Sequence, residues 1–339
     1  MCVLNLIDTL KLFILCVWIL KYTLPMSFVH APPRFSPVHN WLPPWGLHVC
    51  VRAVIWRSTV GMGLTESQRW SHYPAGPVCT ISCLFQGGID VLAPGVGHDA
   101  LSARLPVPRL SVTGPHSLPR SAFYSPETEG VMLIFYPDAF WAMTGVPPQT
   151  LGDQMVDAHS VLPPTLLAAC QCLCGAGDIH LRVQQFFDAL LPIWQNRAQD
   201  FPEYNEQTSE WGQNFAPWME ALAMRAAATG WGRSLRQSER RIKQWTGWSL
   251  RKLKGSVRGE AAFFAVMEAM LEERVDWAQI ALENGFSDQS HFIRETRRIT
   301  GFSPEALRHG FIHEEAFWVY RGWAQLAGYK MPNPIAQAD

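Results

Sequence analysis

The spacing of apolar residues changes once along the chain. Up to about residue 200 they come in short runs closed by Gly or Pro: HVCVRAVIW (His48–Trp56), VCTISCLF (Val78–Phe85) and GVMLIFY (Gly130–Tyr136). Runs of this length, rich in β-branched and aromatic residues, read as strands. RWSHYPAGPVCTISCLFQG (Arg69–Gly87) reads as two strands about a turn. Thr165–Cys174 and Leu181–Trp194 read as two helices closing this part. From Trp218 onward the apolar positions recur at helical spacing. Proline marks the same boundary, because it removes a donor and clashes inside a helix. Of 25 prolines, 21 lie between Pro25 and Pro202, and none lies between Trp218 and Ser303.

The pattern predicts an α+β protein with a β-rich domain over 26–200. A polar, aperiodic linker follows over 201–214 (FPEYNEQTSEWGQN), then an all-α domain over 215–325 and a tail over 326–339. Residues 1–25 fit neither part. Leu12–Leu20 is an apolar run of nine residues between Lys11 and Lys21, short of the ~20 that span a bilayer. Asp8 precedes it and no small-residue cleavage site follows. Residues 1–25 are therefore expected to be a non-native upstream start, with Met26–Asp339 the functional protein; the alternatives are a membrane-touching segment, which would make the chain a membrane-anchored regulator, and an ordinary helix.

The helical part contains an internal repeat. GRSLRQSERRIKQWTGWS (Gly232–Ser249) and GFSDQSHFIRETRRITGFS (Gly285–Ser303) both begin Gly-x-Ser and end Thr-Gly-aromatic-Ser. Aligning Ser234 with Ser287 leaves a one-residue slip at the end. Each copy reads as helix, turn, helix. In the second, Asp276 caps Trp277–Glu283, with Gln279 completing a capping box. Asn284-Gly285 forms the turn, and Ser287 caps a helix over Asp288–Ile299. Ser303-Pro304 then starts a further helix. In the first copy, Trp218–Ala228 leads, Thr229-Gly230 turns, and Ser234 caps Leu235–Trp245, with Gln237 as its capping-box partner. Leu235, Ser238, Ile242 and Trp245 fall on the inner face of the first closing helix, Phe292 and Ile299 on that of the second. Leu250–Glu272 joins the copies, about 34 Å long if helical, close to the ~34 Å of one DNA turn. Gly255 and Gly259 are expected to kink this strut. The capped, amphipathic helices point to a unit that stands alone from about Asn214.

Charge sharpens the picture. The net charge is -1, yet Trp231–Gly310 holds 14 Lys+Arg against 10 Asp+Glu, and the remainder 14 against 19. Within Trp231–Arg258 nine basic residues face one acid, Glu239. A basic block on helices of this form suits a polyanion partner. Arg reads guanine and Gln reads adenine, while further Arg and Lys bind phosphate. The candidate contacts on the first helix are Ser234, Arg236, Gln237, Arg240, Arg241 and Lys243. Arg251 and Lys252 follow at the start of the strut. On the second helix they are Ser287, Asp288, Gln289, Ser290, His291, Arg294 and Arg298.

NGFSDQSHFIRETRRITGFSPEALR (Asn284–Arg308) resembles the C-terminal signature of the AraC/XylS family of bacterial transcription regulators. The resemblance covers roughly Phe215–Phe311. It implies an all-helical DNA-binding domain with two helix-turn-helix motifs, whose recognition helices are Leu235–Trp245 and Asp288–Ile299. It further implies a barrel-like (cupin-like) effector-sensing domain with closing helices ahead of it. Thr296 stands where the family usually has an aromatic and Ile293 where it often has a small polar residue, so the second recognition helix is expected to pack less firmly. Trp41, Trp45, Trp56 and Trp70 are candidates to line an effector pocket. The implied partners are double-stranded DNA, a small-molecule effector, RNA polymerase for an activator, and a second copy in a homodimer. The implied location is the cytoplasm, with no stable membrane association.

Other chemistry finds little support. The chain has eight cysteines, and Cys170, Cys172 and Cys174 form C-x-C-x-C, of which only Cys170 and Cys174 share a helix face. Zinc sites favour paired C-x2-4-C motifs, and the histidines of the first domain form no H-x-H pair. No metal, cofactor or catalytic residue is expected, and the chain is read as a regulator rather than an enzyme. The alternative is a metal-dependent cupin-type or cysteine-based repair enzyme fused to a DNA-binding domain.

Overall fold

The alternation in the first part of the chain builds two antiparallel sheets. The computed structural model describes residues 35–92, 104–198, 215–228, 235–272 and 274–329. The leader 1–25, the linker 201–214, Ser234 and most of the tail lie outside them. The strands are β1 (Val38–Trp41), β2 (Val51–Ser58), β3 (Trp70–Tyr73), β4 (Cys79–Gln86), β5 (Ile89–Leu92), β6 (Arg104–Pro106), β7 (Leu110–Thr113), β8 (Arg120–Tyr124), β9 (Glu129–Phe135) and β10 (Met155–Asp157). One sheet runs β1-β2-β9-β4-β7-β10 and the other β3-β8-β5-β6. The two strands expected over Arg69–Gly87 thus fall into different sheets. No pairing joins the sheets among the described residues, so the barrel-like layer consists of two facing sheets rather than a closed barrel.

Period-2 alternation assigns the faces of the larger sheet. Cys79, Ile81 and Cys83 of β4 and Val131, Leu133 and Phe135 of β9 point into a core shared with helices. Thr80, Ser82, Met132 and Ile134 point toward the second sheet. The helices over the first face are α1 (Pro137–Thr144), α2 (Pro164–Gln171) and α3 (Ile179–Ala198).

The helical part continues with α4 (Phe215–Ala228), α5 (Leu235–Thr246), α6 (Leu250–Glu268), α7 (Trp277–Glu283), α8 (Gln289–Thr300), α9 (Pro304–His313) and α10 (Trp318–Leu326). Among the described residues, no helix is long and apolar enough to cross a membrane. Phe215, Trp218, Leu222, Ile242 and Leu253 join the same apolar cluster as Ile81, Leu133, Phe140 and Phe186. A second cluster gathers Phe263, Val266, Phe292, Leu307, Phe311 and Tyr320 around α6. Helix α10 packs on β1 and β3, an edge strand of each sheet, which covers otherwise unpaired backbone.

Three buried ion pairs cross between the β-rich part and the helical part: Arg52–Glu260 at 2.5 Å and Arg57–Glu315 at 2.7 Å from strand β2, and Asp138–Arg225 at 2.5 Å from helix α1. The helical part is therefore not isolated from the β-rich part, contrary to the expectation of a self-standing unit. Its core and its buried charges are completed across the boundary.

The strut also differs from its expectation. Helix α6 has 19 residues and ends in a 3-10 turn at Ala269–Leu271, about 28 Å of α-helix. Gly255 and Gly259 lie within unbroken helix. A Cβ on Gly259 would sit 2.0 Å from Cγ1 of Ile299, and one on Gly255 would sit 3.2 Å from Nη2 of Arg298. These glycines let α8 approach the backbone closely; they do not bend it. Because α8 docks in the first half of α6, the length of the strut does not alone set the spacing of the two copies.

Candidate functional site

The two copies of the repeat close with the same hydrogen bonds. Thr246 Oγ1 donates to Ile242 O (2.7 Å) and accepts from Trp248 N (3.1 Å). Thr300 Oγ1 donates to Thr296 O (2.7 Å) and accepts from Phe302 N (3.1 Å). Gly247 and Gly301 follow at φ 76° and 85°, the left-handed region that only glycine adopts freely. Their amides reach Lys243 O and Arg297 O, both at 2.8 Å. Ser249 and Ser303 then cap α6 and α9.

Helices α5 and α8 each have 12 residues, so the copies align without a slip. The sequence alignment was displaced because Asp288, not Ser287, is the N-cap of α8. The Asp288 carboxylate accepts from His291 N at 2.7 Å, and Ser287 Oγ donates to Asp288. Asp276 caps α7 as expected, accepting from Ala278 N and Gln279 N. The Gln279 side chain turns to Glu283 instead of closing a capping box.

The candidate contact residues divide by what their side chains already do. Arg236, Gln237, Arg240, Lys243 and Arg251 are exposed, as are Ser287, Asp288, Gln289, Ser290 and Arg294; His291 is half-buried. Three others are engaged inside the protein. Arg241 Nη1 donates to Ala226 O at 3.0 Å, beside Ser238 Oγ on the same carbonyl at 3.2 Å, and together they close the C-terminal end of α4. Arg298 Nη2 donates to Gly255 O at 2.5 Å and pairs with Glu295 at 2.9 Å. Lys252 Nζ lies 3.8 Å over the Trp248 ring. Burial lowers its pKa, against the pull of Asp153.

Ser234 lies outside the described residues. Leu235, expected on the inner face, is 87% exposed, because contact with α4 begins a turn later at Ser238. Arg297, not among the residues the sequence pointed to as contacts, is exposed at the position in α8 that Lys243 holds in α5. The unslipped alignment is the signal that finds it. The second recognition helix is also packed firmly. Phe292 and Thr296 are fully buried, and the Thr296 hydroxyl is satisfied by Phe292 O at 2.9 Å.

A cavity of about 180 Å³ lies between the sheets. Leu84, Ile89, Val91, Met132 and Ile134 give it apolar walls. Most of its polar groups are already partnered. Arg52 and Arg57 hold Glu260 and Glu315, and the Tyr73 and Tyr124 hydroxyls bond each other. His116 Nε2 donates to Pro74 O at 2.8 Å. Burial, with Arg120 nearby, pulls the His116 pKa down to about 4, so it is neutral at pH 7. Two guanidiniums of the lining keep buried nitrogens without a hydrogen-bond partner: Nη1 of Arg57, whose Nη2 holds Glu315, and both Nε and Nη2 of Arg120.

None of the four candidate tryptophans lines this cavity. Trp41 donates to His180 Nδ1 at 3.1 Å, and Trp56 donates to Glu129 at 3.0 Å. Trp45 is 73% exposed and stacks on His48. Trp70 packs on Phe123.

Among the described residues no group of three or more His, Cys, Asp or Glu is placed to hold a metal. Burial raises the thiol pKa of Cys50 and Cys79, while a hydrogen bond with Cys170, then burial, raises that of Cys83. These thiols stay protonated, unlike the thiolates of cysteine-based catalysis.

A duplicated helix-turn-helix with exposed Arg and Gln in the first half of each second helix defines a DNA-binding class of protein. Residues 226–310 match the family model of the helix-turn-helix domain, and this part of the chain is a helix-turn-helix domain of the AraC type. The chain is accordingly a DNA-binding regulator of transcription. No curated protein matches it in sequence. Solved structures similar to it include those of ToxT from Vibrio cholerae. An apo ToxT variant has TM-score 0.36 and 9% identity, covering 75% of this chain and 96% of that one. ToxT bound to an unsaturated fatty acid has TM-score 0.34 and 12% identity, covering 83% and 97%.

Proposed function

We propose that α5 and α8 enter successive major grooves of double-stranded DNA, N-terminal ends first, and that the protein acts in the cytoplasm as an activator. Arg236, Gln237 and Arg240 would read one half-site, and Gln289, Ser290 and Arg294 the other. Arg251, Lys243 and Arg297 would hold phosphate. The observation that carries this reading is the unslipped repeat, which places Arg240 and Arg294 at equivalent exposed positions on two equal helices. The apolar cavity between the sheets would receive a small-molecule effector. RNA polymerase and a second copy of the chain are the remaining proposed partners.

Selection from a randomised DNA library tests the reading. The expected product is a bipartite site with half-sites about 10–10.5 base pairs apart. Arg240→Ala should relax preference within one half and Arg294→Ala within the other, each at roughly 1–3 kcal/mol. Loss of preference in the same half from both substitutions would refute the assignment. Lys243→Ala should weaken all sequences alike and lower the salt slope by about one.

A further inference from the structure

Building on the effector role proposed for the cavity, we infer that Arg120 anchors an acidic group at one end of it, and that a ligand held there bears on α8 and not on α5. Arg120 begins β8 and shares the inner face with Ala122 and Tyr124. Its side chain is only 8% exposed. A buried guanidinium needs an anion, and Arg52, Arg57 and Arg225 each have a carboxylate within 2.7 Å. Among the described residues the carboxylate paired with Arg120 is that of Asp153, 3.9 Å from Nη2.

That carboxylate is largely committed elsewhere. Its Oδ1 accepts from Ser117 N at 2.7 Å, and both its oxygens accept from Ser117 Oγ at 3.0 and 2.8 Å. Nε and Nη2 of Arg120 thus remain unsatisfied, two donors of the planar fork that carboxylates match. Neighbouring His116 is neutral, so Arg120 is the cation at this end. With apolar walls over the rest, the ligand class is an apolar body bearing one acidic group.

The same backbone seats α8. Ala75 N donates to Ile299 O at 2.7 Å, in the last turn of that helix. A Cβ on Gly301 would lie 3.3 Å from Cγ of Pro119, the residue before Arg120. The two segments are locked together, since Gly76 and His116 exchange backbone bonds at 3.0 Å. Pro74, Ala75, His116 and Arg120 all line the cavity. The equivalent turn of α5 rests on Pro148 and Gln149, which do not line it. Occupancy of the anchor is therefore coupled to one recognition helix of the two.

The test uses the full chain, titrated by calorimetry with 4-butylbenzoate and with 4-butylbenzyl alcohol, its neutral counterpart. The carboxylate should bind roughly ten-fold tighter than the alcohol, as a hydrogen bond to a charged group implies. Arg120→Gln should bring the two together, and Arg120→Lys should keep part of the preference. A circular-dichroism melt of each variant confirms that it is folded. Equal binding of both probes to the unsubstituted protein would overturn the anchor and leave the cavity reading standing. Failure of both probes to bind would overturn both. For the coupling, 4-butylbenzoate should change affinity for DNA carrying the half-site read by α8. It should leave affinity unchanged when that half is scrambled, and equal effects on both DNAs would overturn the coupling.

Discussion

In the first repeat, α5 buries Ile242 and Thr246 and ties Ser238 and Arg241 to the end of α4. In the second, α8 buries Phe292, Thr296, Ile299 and Thr300 and presses on the bare backbone of Gly259. Ile242 belongs to the core of the β-rich part, whereas Phe292 belongs to the core built around α6. Two helices of one length and one closing turn are thus held by different means. The first borrows its support from the sheet side of the molecule, and the second builds its own. The support of α5 lies on the helix-covered face of the larger sheet, away from the cavity, whereas α8 meets the cavity-lining backbone at Ala75 and sits against Pro119.

Removing the β-rich part should break the comparison most severely. A fragment starting at Asn214 leaves Arg225, Glu260 and Glu315 without Asp138, Arg52 and Arg57. Hydrogen exchange should find α4 and α5 unprotected while α8 and α9 keep measurable protection. Equal protection of α5 and α8 would show that the shared core is dispensable.

Single substitutions should separate the two supports next. Asp138→Ala removes the carboxylate shared by Arg225 and Trp218 and should cost about 3–5 kcal/mol. Phe292→Ala should cost a similar ~3–5 kcal/mol by opening a cavity. Urea denaturation measures both, and exchange should report the loss at α5 for the first and at α8 for the second. The same site of loss for both would merge the two supports into one.

Acid should act on the α8 side. His116 has its pKa lowered to about 4 by burial, below the ~6.5 of the unfolded chain. The unfolded state therefore binds more protons between these values, and stability falls as pH drops from about 6.5 toward 4. The shift amounts to roughly 3 kcal/mol. His116→Gln should flatten this part of the pH–stability curve, and an unchanged slope would assign it to other groups.

The smallest effect expected is steric. Gly259→Ala drives a methyl into Ile299 and should cost about 1–3 kcal/mol, with weaker reading of the α8 half-site. Gly255→Ala meets only the movable end of Arg298 and should cost less. The reverse order in thermal unfolding would show that the α6–α8 contact is looser than its geometry.

Much of the fold was legible from local chemistry. Alternation placed β2, β4 and β9, and Asp276, Ser303 and Pro304 placed the starts of α7 and α9. Thr-Gly-aromatic-Ser placed the ends of both recognition helices. These signals work because a cap, a left-handed glycine or a two-residue period is satisfied by neighbours in sequence. What depended on distant partners was not legible. Ser287 and Asp288 are both good caps, and only the folded turn chose the second. Arg241 and Arg298 carry the same charge as Arg240 and Arg294, but carbonyls of other helices claim them. Gly255 and Gly259 read as weak points of a helix, and only the fold sets Arg298 and Ile299 against them. The cavity follows the same rule: four tryptophans were the natural candidates by composition, while the packing of two sheets chose other walls and left two nitrogens of Arg120 among them without a hydrogen bond.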